Sequence, residues 1–145
     1  MEIYTIGFTK KTASEFFGAL SDAAIQTLID VRLNNKSQLA GFTKQADLEY
    51  FLSKICGIRY QHELSLAPSD EMLKAYRAKK IDWPEYAREY SNLLISRSIE
   101  NQLSRSDFQD RTVLLCSECE PDQCHRRLAA EHLSDAWEPL KITHL

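Results

Sequence analysis

Short apolar stretches alternate with segments of helical spacing along this chain. The first, EIYTIG (Glu2 to Gly7), is β-branched and apolar, the composition of a buried strand. Thr12 and Glu15 then stand at capping-box spacing, and Ala13, Phe16, Phe17 and Leu20 recur at helical intervals. TLIDVR (Thr27 to Arg32) predicts a second strand, polar mainly at its far end. Leu48, Phe51, Leu52 and Ile55 mark a second helix, which Gly57 ends in the C-cap role. IRYQHEL, from Ile58, predicts a third and shorter strand.

The middle of the chain is helical. Ser69 caps a segment through Met72, Leu73 and Tyr76, and Asp82 with Glu85 forms another capping box with Pro84 in the first turn. Trp83, Tyr86, Ala87, Tyr90, Leu93 and Leu94 form one face of a long helix predicted to end near Ser104. RTVLLCSE, from Arg111, predicts a strand, and Pro121 to about Ala136 a helix. EPLKITHL, from Glu138, predicts a last strand that Pro139 confines to an edge or a strand start. No repeat, low-complexity tract or linker divides the pattern, so residues 1–145 read as one domain.

Strands that alternate with helices predict the α/β class. The expected architecture is a single three-layer α/β/α domain with a mostly parallel, Rossmann-like sheet and an inserted helical segment. Ligands of such sheets bind beyond the carboxyl ends of the strands. The residues found there are Gly7-Phe8-Thr9, Asp30-Val31-Arg32, His62-Glu63 and Cys116-Ser117-Glu118. If the strands run parallel, these scattered polar groups share one edge.

Length and charge then narrow the function. A chain of 145 residues can bury one sizeable core. A formal charge of −3 argues against non-specific coating of nucleic acid, while leaving room for a local basic surface. No apolar run is long enough to cross a bilayer, which argues against a membrane partner. The opening MEIYTIGF carries no basic-then-apolar export signal. A cytoplasmic location with reduced cysteines is therefore the expectation.

The candidate chemistry is concentrated. Between Cys116 and Arg127 fall three of the four cysteines, one histidine and two arginines. Metal binding, redox chemistry, anion capture and thiol catalysis could each gather them. Cys116 alone reads as a small hydrophobe closing a core strand. Glu118 would need a partner if buried, and Arg126 or Arg32 could supply one. Cys124 and His125 fall in or near the first turn of the predicted helix. Free N–H groups there lower a thiol's pKa and hold anions.

Zinc on Cys116, Cys119, Cys124 and His125 has a plausible first spacing. However, neighbours on a helical turn point apart, and Cys116 would have to leave its pleat, so no metal is assigned. A disulfide could form among these cysteines under oxidation, but a reducing compartment argues against a permanent one. Asp30 and Arg32 share a strand face, either as an ordinary ion pair or as a carboxylate orienting an anion-binding guanidinium. His62 is a surface histidine or a site base. Trp83, Tyr86 and Tyr90 have core spacing. Lys74, Arg77, Lys79 and Lys80 read as a solvated helix end, or more weakly as a steering patch for a polyanion. Phosphate-loop, serine-elbow and His-Glu-x-x-His fingerprints are absent from the sequence.

Together, YTIGFT, DVR, YQHELS and LLCSECEPDQCHRRLAAEHL resemble the domain of unknown function 488 family over almost the whole chain, the C-x-E…C-H-R segment being the most specific part. The resemblance implies functional positions at Gly7, Asp30, Arg32, His62, Cys116, Glu118, Cys124, His125 and Arg126. Cys119 lies outside the pattern. The chain departs from it in LNNKSQLAGF, where a proline and a serine-arginine pair are usual, and in LSLAPS, where Leu-Gly-Gly is usual. The family carries no settled reaction.

The resulting expectation is an enzyme that binds a phosphate-bearing small molecule, a nucleotide or a nucleic-acid end. Arg32 and Arg126, with Gly7 and Thr9, would hold the substrate. Cys116 or Cys124 would supply a thiolate, His125 or His62 would act as acid–base partner, and Glu118 and Asp30 would orient. The alternatives are a non-catalytic nucleic-acid or protein binding module and a metal- or redox-stabilised scaffold. Cofactor and oligomeric state are not legible in these residues.

Overall fold

The computed structural model of the protein describes residues 1–36, 41–118 and 121–145. Five strands, β1 (Glu2–Gly7), β2 (Thr27–Asp30), β3 (Arg59–His62), β4 (Thr112–Cys116) and β5 (Lys141–His144), form one sheet in the order β3-β2-β4-β1-β5. Every pairing is parallel, so the expected mostly parallel sheet is wholly so among the described residues. β5 lies at an edge and begins after Pro139, within the edge-or-start placement that this proline allows.

The period-2 pattern of each inner strand splits the core in two. Tyr4, Ile6, Leu28, Val113 and Leu115 face α1 (Ala13–Asp22) and α2 (Gln45–Phe51) through Phe16, Phe17, Leu20 and Leu48. Ile3, Ile29, Val31, Leu114 and Cys116 face the other layer. That layer contains α3 (Asp70–Arg77), α4 (Trp83–Arg97), α5 (Ile99–Gln102) and α6 (His125–Trp137). The helical insertion between β3 and β4 supplies three of these four helices. This is the three-layer domain that the alternating pattern predicts.

Strands β3, β4 and β5 are shorter than the segments that predicted them, and four further boundaries differ for a local reason. β2 stops at Asp30 because the Arg32 N–H donates to the Asp30 carboxylate, turning the chain out of the ladder. α2 passes into a π turn at Leu52–Cys56 before Gly57 closes it with φ of 65°. That turn rotates Ile55 to the surface. The long helix expected to reach Ser104 breaks at Ser98, whose φ of 50° ends α4 before α5 begins. α6 starts at His125 rather than Pro121, with Cys124 as an extended N-cap.

Chain direction makes the crevice. β2 and β4 are neighbours, yet β2 leads to α2 on one face and β4 leads to α6 on the other. Connections that diverge from adjacent parallel strands leave a hollow beyond their carboxyl ends. No helix among the described residues is long and apolar enough to cross a membrane.

Leu114 is fully buried in the central strand, so Leu114→Ala should cost about 2–5 kcal/mol in urea unfolding. Ile95→Ala, on a side chain 61% exposed, should change stability by less than about 0.5 kcal/mol.

Candidate active site

Register brings the expected groups to one edge. Gly7 lies beside Cys116, and Asp30 lies beside both Leu115 and His62. Asp30 and Arg32 form a buried pair with Arg32 Nε and Nη2 each 2.8 Å from a carboxylate oxygen. This fork-on-fork geometry fixes both side chains. Arg32 Nη2 also donates to the Thr43 carbonyl, and the guanidinium carbon lies 5.2 Å from the centre of the Phe8 ring. Tyr60 Oη donates to Asp30 Oδ2 at 2.6 Å and accepts from Asn35 Nδ2. Burial and this contact with Asp30 raise the Tyr60 hydroxyl above its ordinary pKa and keep it a donor. The sequence offers little sign of Tyr60, which lies on an alternating edge strand.

The segment after β4 is pinned from below. Thr9 donates to the Ser117 carbonyl through its backbone N–H and its hydroxyl. Arg126, fully buried, donates through Nη1 to the Glu118 carbonyl and through Nε to Thr5 Oγ1. A Cβ at Gly7 would collide with that carbonyl and approach Arg126 Nη1 to 2.7 Å. Glycine is needed here for close approach rather than for a turn. Gly7, Thr9 and Arg126 thus shape the loop that carries Ser117 and Glu118, and none of the three lines the pocket above it.

That pocket, of about 80 Å³, is lined by Arg32, Cys116, Glu118, Cys124 and His125 among the expected residues. Its size corresponds to roughly six water molecules, enough for one terminal group of a larger ligand. Cys116 and Cys124 are nearly inaccessible, and their sulfurs are in bonding contact as a disulfide. This pairing runs against the expectation of separate reduced thiols. Cys119 lies outside the described residues. Cys56, the fourth cysteine, is a free thiol accepting from Ser21.

The imidazole of His125 is held from both sides. Nε2 is 2.9 Å from the Val31 carbonyl oxygen, and the ring meets Tyr90 edge-on at 5.4 Å. A carbonyl can only accept, so Nε2 carries the proton and Nδ1 the lone pair. Burial pushes the His125 pKa down to about 4, against the opposing pull of the Val31 bond. The ring is therefore neutral at physiological pH. One of its nitrogens and the sulfurs of Cys116 and Cys124 lie within 4.8 Å of one another. The expected divergence of Cys124 and His125 fails because Cys124 is not helical: φ of −137° and ψ of 136° turn its side chain away from the α6 spiral.

His62 is separated from this group. Its Nε2 meets the Arg32 carbonyl at 2.7 Å, and it lines an adjoining hollow with Leu33, Asn34, Asn35, Lys36, Gln45 and Leu64. Asp30 stays behind Arg32. The far wall of the pocket instead comes from the helical insertion: Tyr76, Arg77 and Tyr86. Tyr86 stacks with Trp83 and contacts Tyr76 at a 4.7 Å ring separation. Sequence spacing assigned Tyr86 to the core and Arg77 to a solvated helix end. Tyr86 is indeed buried, but one surface of it faces the pocket. Arg77 is exposed and has no carboxylate within ion-pair distance among the described residues.

A family model described as "Domain of unknown function DUF488" matches residues 12–133. No curated protein and no solved structure matches the chain.

Asp30→Asn would strand a buried guanidinium, and should lower unfolding stability by about 3–5 kcal/mol in urea titrations. Gly7→Ala should cost about 2 kcal/mol or more by the same measurement and shift the backbone amide resonances of Ser117 and Glu118.

Proposed function

Taking as premise that the chain belongs to the domain of unknown function DUF488 family, we propose that it is an enzyme acting on a phosphate-bearing substrate at the β2–β4 crevice. One observation carries this reading. A small pocket at the carboxyl edge of the sheet combines nucleophile-capable and base-capable groups with cations. Of the two arginines lining the pocket, Arg77 is the one without an ion-pair partner among the described residues, and it would meet the substrate's anionic group at the rim. Arg32 has spent Nε and Nη2 on Asp30 and Thr43, which leaves Nη1 to assist. Tyr76 and Tyr86 offer a flat apolar wall, suited to a ring such as a nucleobase or sugar.

The chemistry falls to the floor of the pocket. Cys124 precedes the free N–H groups at the start of α6, a field that favours its thiolate in the reduced protein. The neutral His125 ring, one of whose nitrogens lies within 4.8 Å of the Cys124 sulfur, offers Nδ1 as a proton acceptor. Glu118, exposed at the pocket edge, would exchange protons with the substrate or with water. Asp30, Thr9, Gly7 and Arg126 act by positioning: they fix Arg32 and the loop after β4. Arg126 serves the reaction without touching the anion.

The bonded sulfurs favour one second reading, a redox-stabilised scaffold in which the Cys116–Cys124 pair only staples β4 to α6. In that case reduction would lower stability and uncover no ligand.

Calorimetric titration of the reduced protein with inorganic phosphate and with a nucleoside monophosphate tests the proposal. Arg77→Ala should weaken binding about tenfold or more, the loss of one charge-assisted contact. Arg88→Ala removes an arginine paired with Glu85 and should leave affinity unchanged. Turnover of a phosphate-ester panel should fall at least ~100-fold in His125→Ala. No binding by the reduced protein, or equal effects of the two arginine substitutions, would refute it.

A further inference from the structure

The residues on the pocket floor have a property that anion binding does not require. Two sulfurs and an imidazole nitrogen converge within 4.8 Å, from three residues that are almost wholly buried. Two thiolates with one neutral imidazole form the ligand set of open, three-ligand zinc centres. From these contacts we infer that the reduced protein holds a thiophilic divalent cation, of the zinc class, through Cys116, Cys124 and His125.

Three further observations support this site. The first is the contact between His125 Nε2 and the Val31 carbonyl. Metal-binding histidines ordinarily donate their second ring nitrogen to a carbonyl or carboxylate, which fixes the tautomer and orients the ring. Here Nε2 is committed and Nδ1 is left with the lone pair.

The second is the spacing of the main chain. The Cα atoms of Cys116 and Cys124 are 7.6 Å apart, wider than the about 4.4–6.8 Å that a disulfide usually spans. A cation inserted between the sulfurs, about 2.3 Å from each, suits a wider separation. The elements that set the spacing are the end of β4 and the first turn of α6, both tied into the core.

The third is access. All three residues line the pocket, so a fourth ligand can enter from it. Water would take that position in the absence of substrate, and an anionic substrate oxygen could displace it. Glu118 stands at the same pocket as a proton acceptor, a role that a glutamate beside an open zinc position can fill. The inference rests on the reading of this pocket as an anion site and changes the roles on its floor: with the cation bound, Cys124 and His125 are ligands, and a water at the open position, rather than a thiolate, would be the attacking group. It also makes the thiol pair a switch: oxidation to the disulfide consumes both thiolate ligands and excludes the cation.

The full-length protein, reduced with a phosphine under argon, is titrated with Co²⁺ as the probe. A thiolate-to-cobalt charge-transfer band and intense visible bands of a tetrahedral centre should grow to one equivalent, and one equivalent of Zn²⁺ should erase them. Diamide, which takes up the two thiol hydrogens as it becomes the hydrazine, should abolish the spectrum. Cys116→Ser and Cys124→Ser should each weaken Co²⁺ binding at least tenfold, and His125→Ala should alter the visible bands while circular dichroism reports an intact fold. A Cys56→Ser/Cys119→Ser double variant should keep the spectrum. No tetrahedral spectrum in the reduced, folded wild type, or one lost only in the double variant, overturns the site. Phosphate titration of the metal-free reduced protein is a separate readout, so failure of the metal site and failure of the anion site are distinguishable.

Discussion

Parallel pairing of β4 between β1 and β2 is the constraint on which the rest of the structure depends. It lays the ends of three strands side by side, so that Gly7, Asp30 and Cys116 share an edge although they are far apart in sequence. The helices that follow β2 and β4 lie on opposite faces, and the crevice between these strands cannot be filled by either connection. A strand order that separated β2 from β4 would take Arg32 away from the cysteines.

Rigidity at this edge comes from partnered polar groups, of which Asp30, Arg32 and Arg126 are buried. Asp30 holds Arg32 in a fork and is itself held by Tyr60. Arg126 and Thr9 hold two successive carbonyls after β4, at Ser117 and Glu118. Buried charges satisfied in this way add little net stability against apolar replacements, yet removing one partner is costly. Their value here is positional: they keep the pocket shaped before any ligand arrives, so that less binding energy is spent on ordering it.

Much of the fold was legible in the sequence because helical and strand periods were clean. Thr12, Ser69 and Asp82 all act as the N-caps that their spacing announced, each accepting from a backbone N–H. The misses came where a single dihedral decides the outcome. The left-handed backbone at Ser98 splits a helix whose apolar pattern runs on unbroken, and the π turn after Phe51 leaves no compositional trace. The site was legible in the same uneven way. Cys116, Glu118, Cys124, His125 and Arg32 meet at one pocket because strand order brings them there. Arg77 and Tyr86 were hidden because a helix that packs on the core and also walls a pocket has the same spacing as one that only packs. The convergence of Cys124 and His125 was hidden by the assumption that both are helical; the N-cap geometry decides it.

Function at this edge depends on the β2–β4 crevice receiving an anion. The most direct measurement is an anomalous-scattering crystal structure of the reduced protein grown with tungstate, a heavy analogue of phosphate. The expected result is a single strong tungsten peak inside the pocket, within hydrogen-bonding reach of Arg77 and bordered by Tyr86, Cys124 and His125. An empty crevice, with tungsten bound only at surface lysines elsewhere, would contradict it.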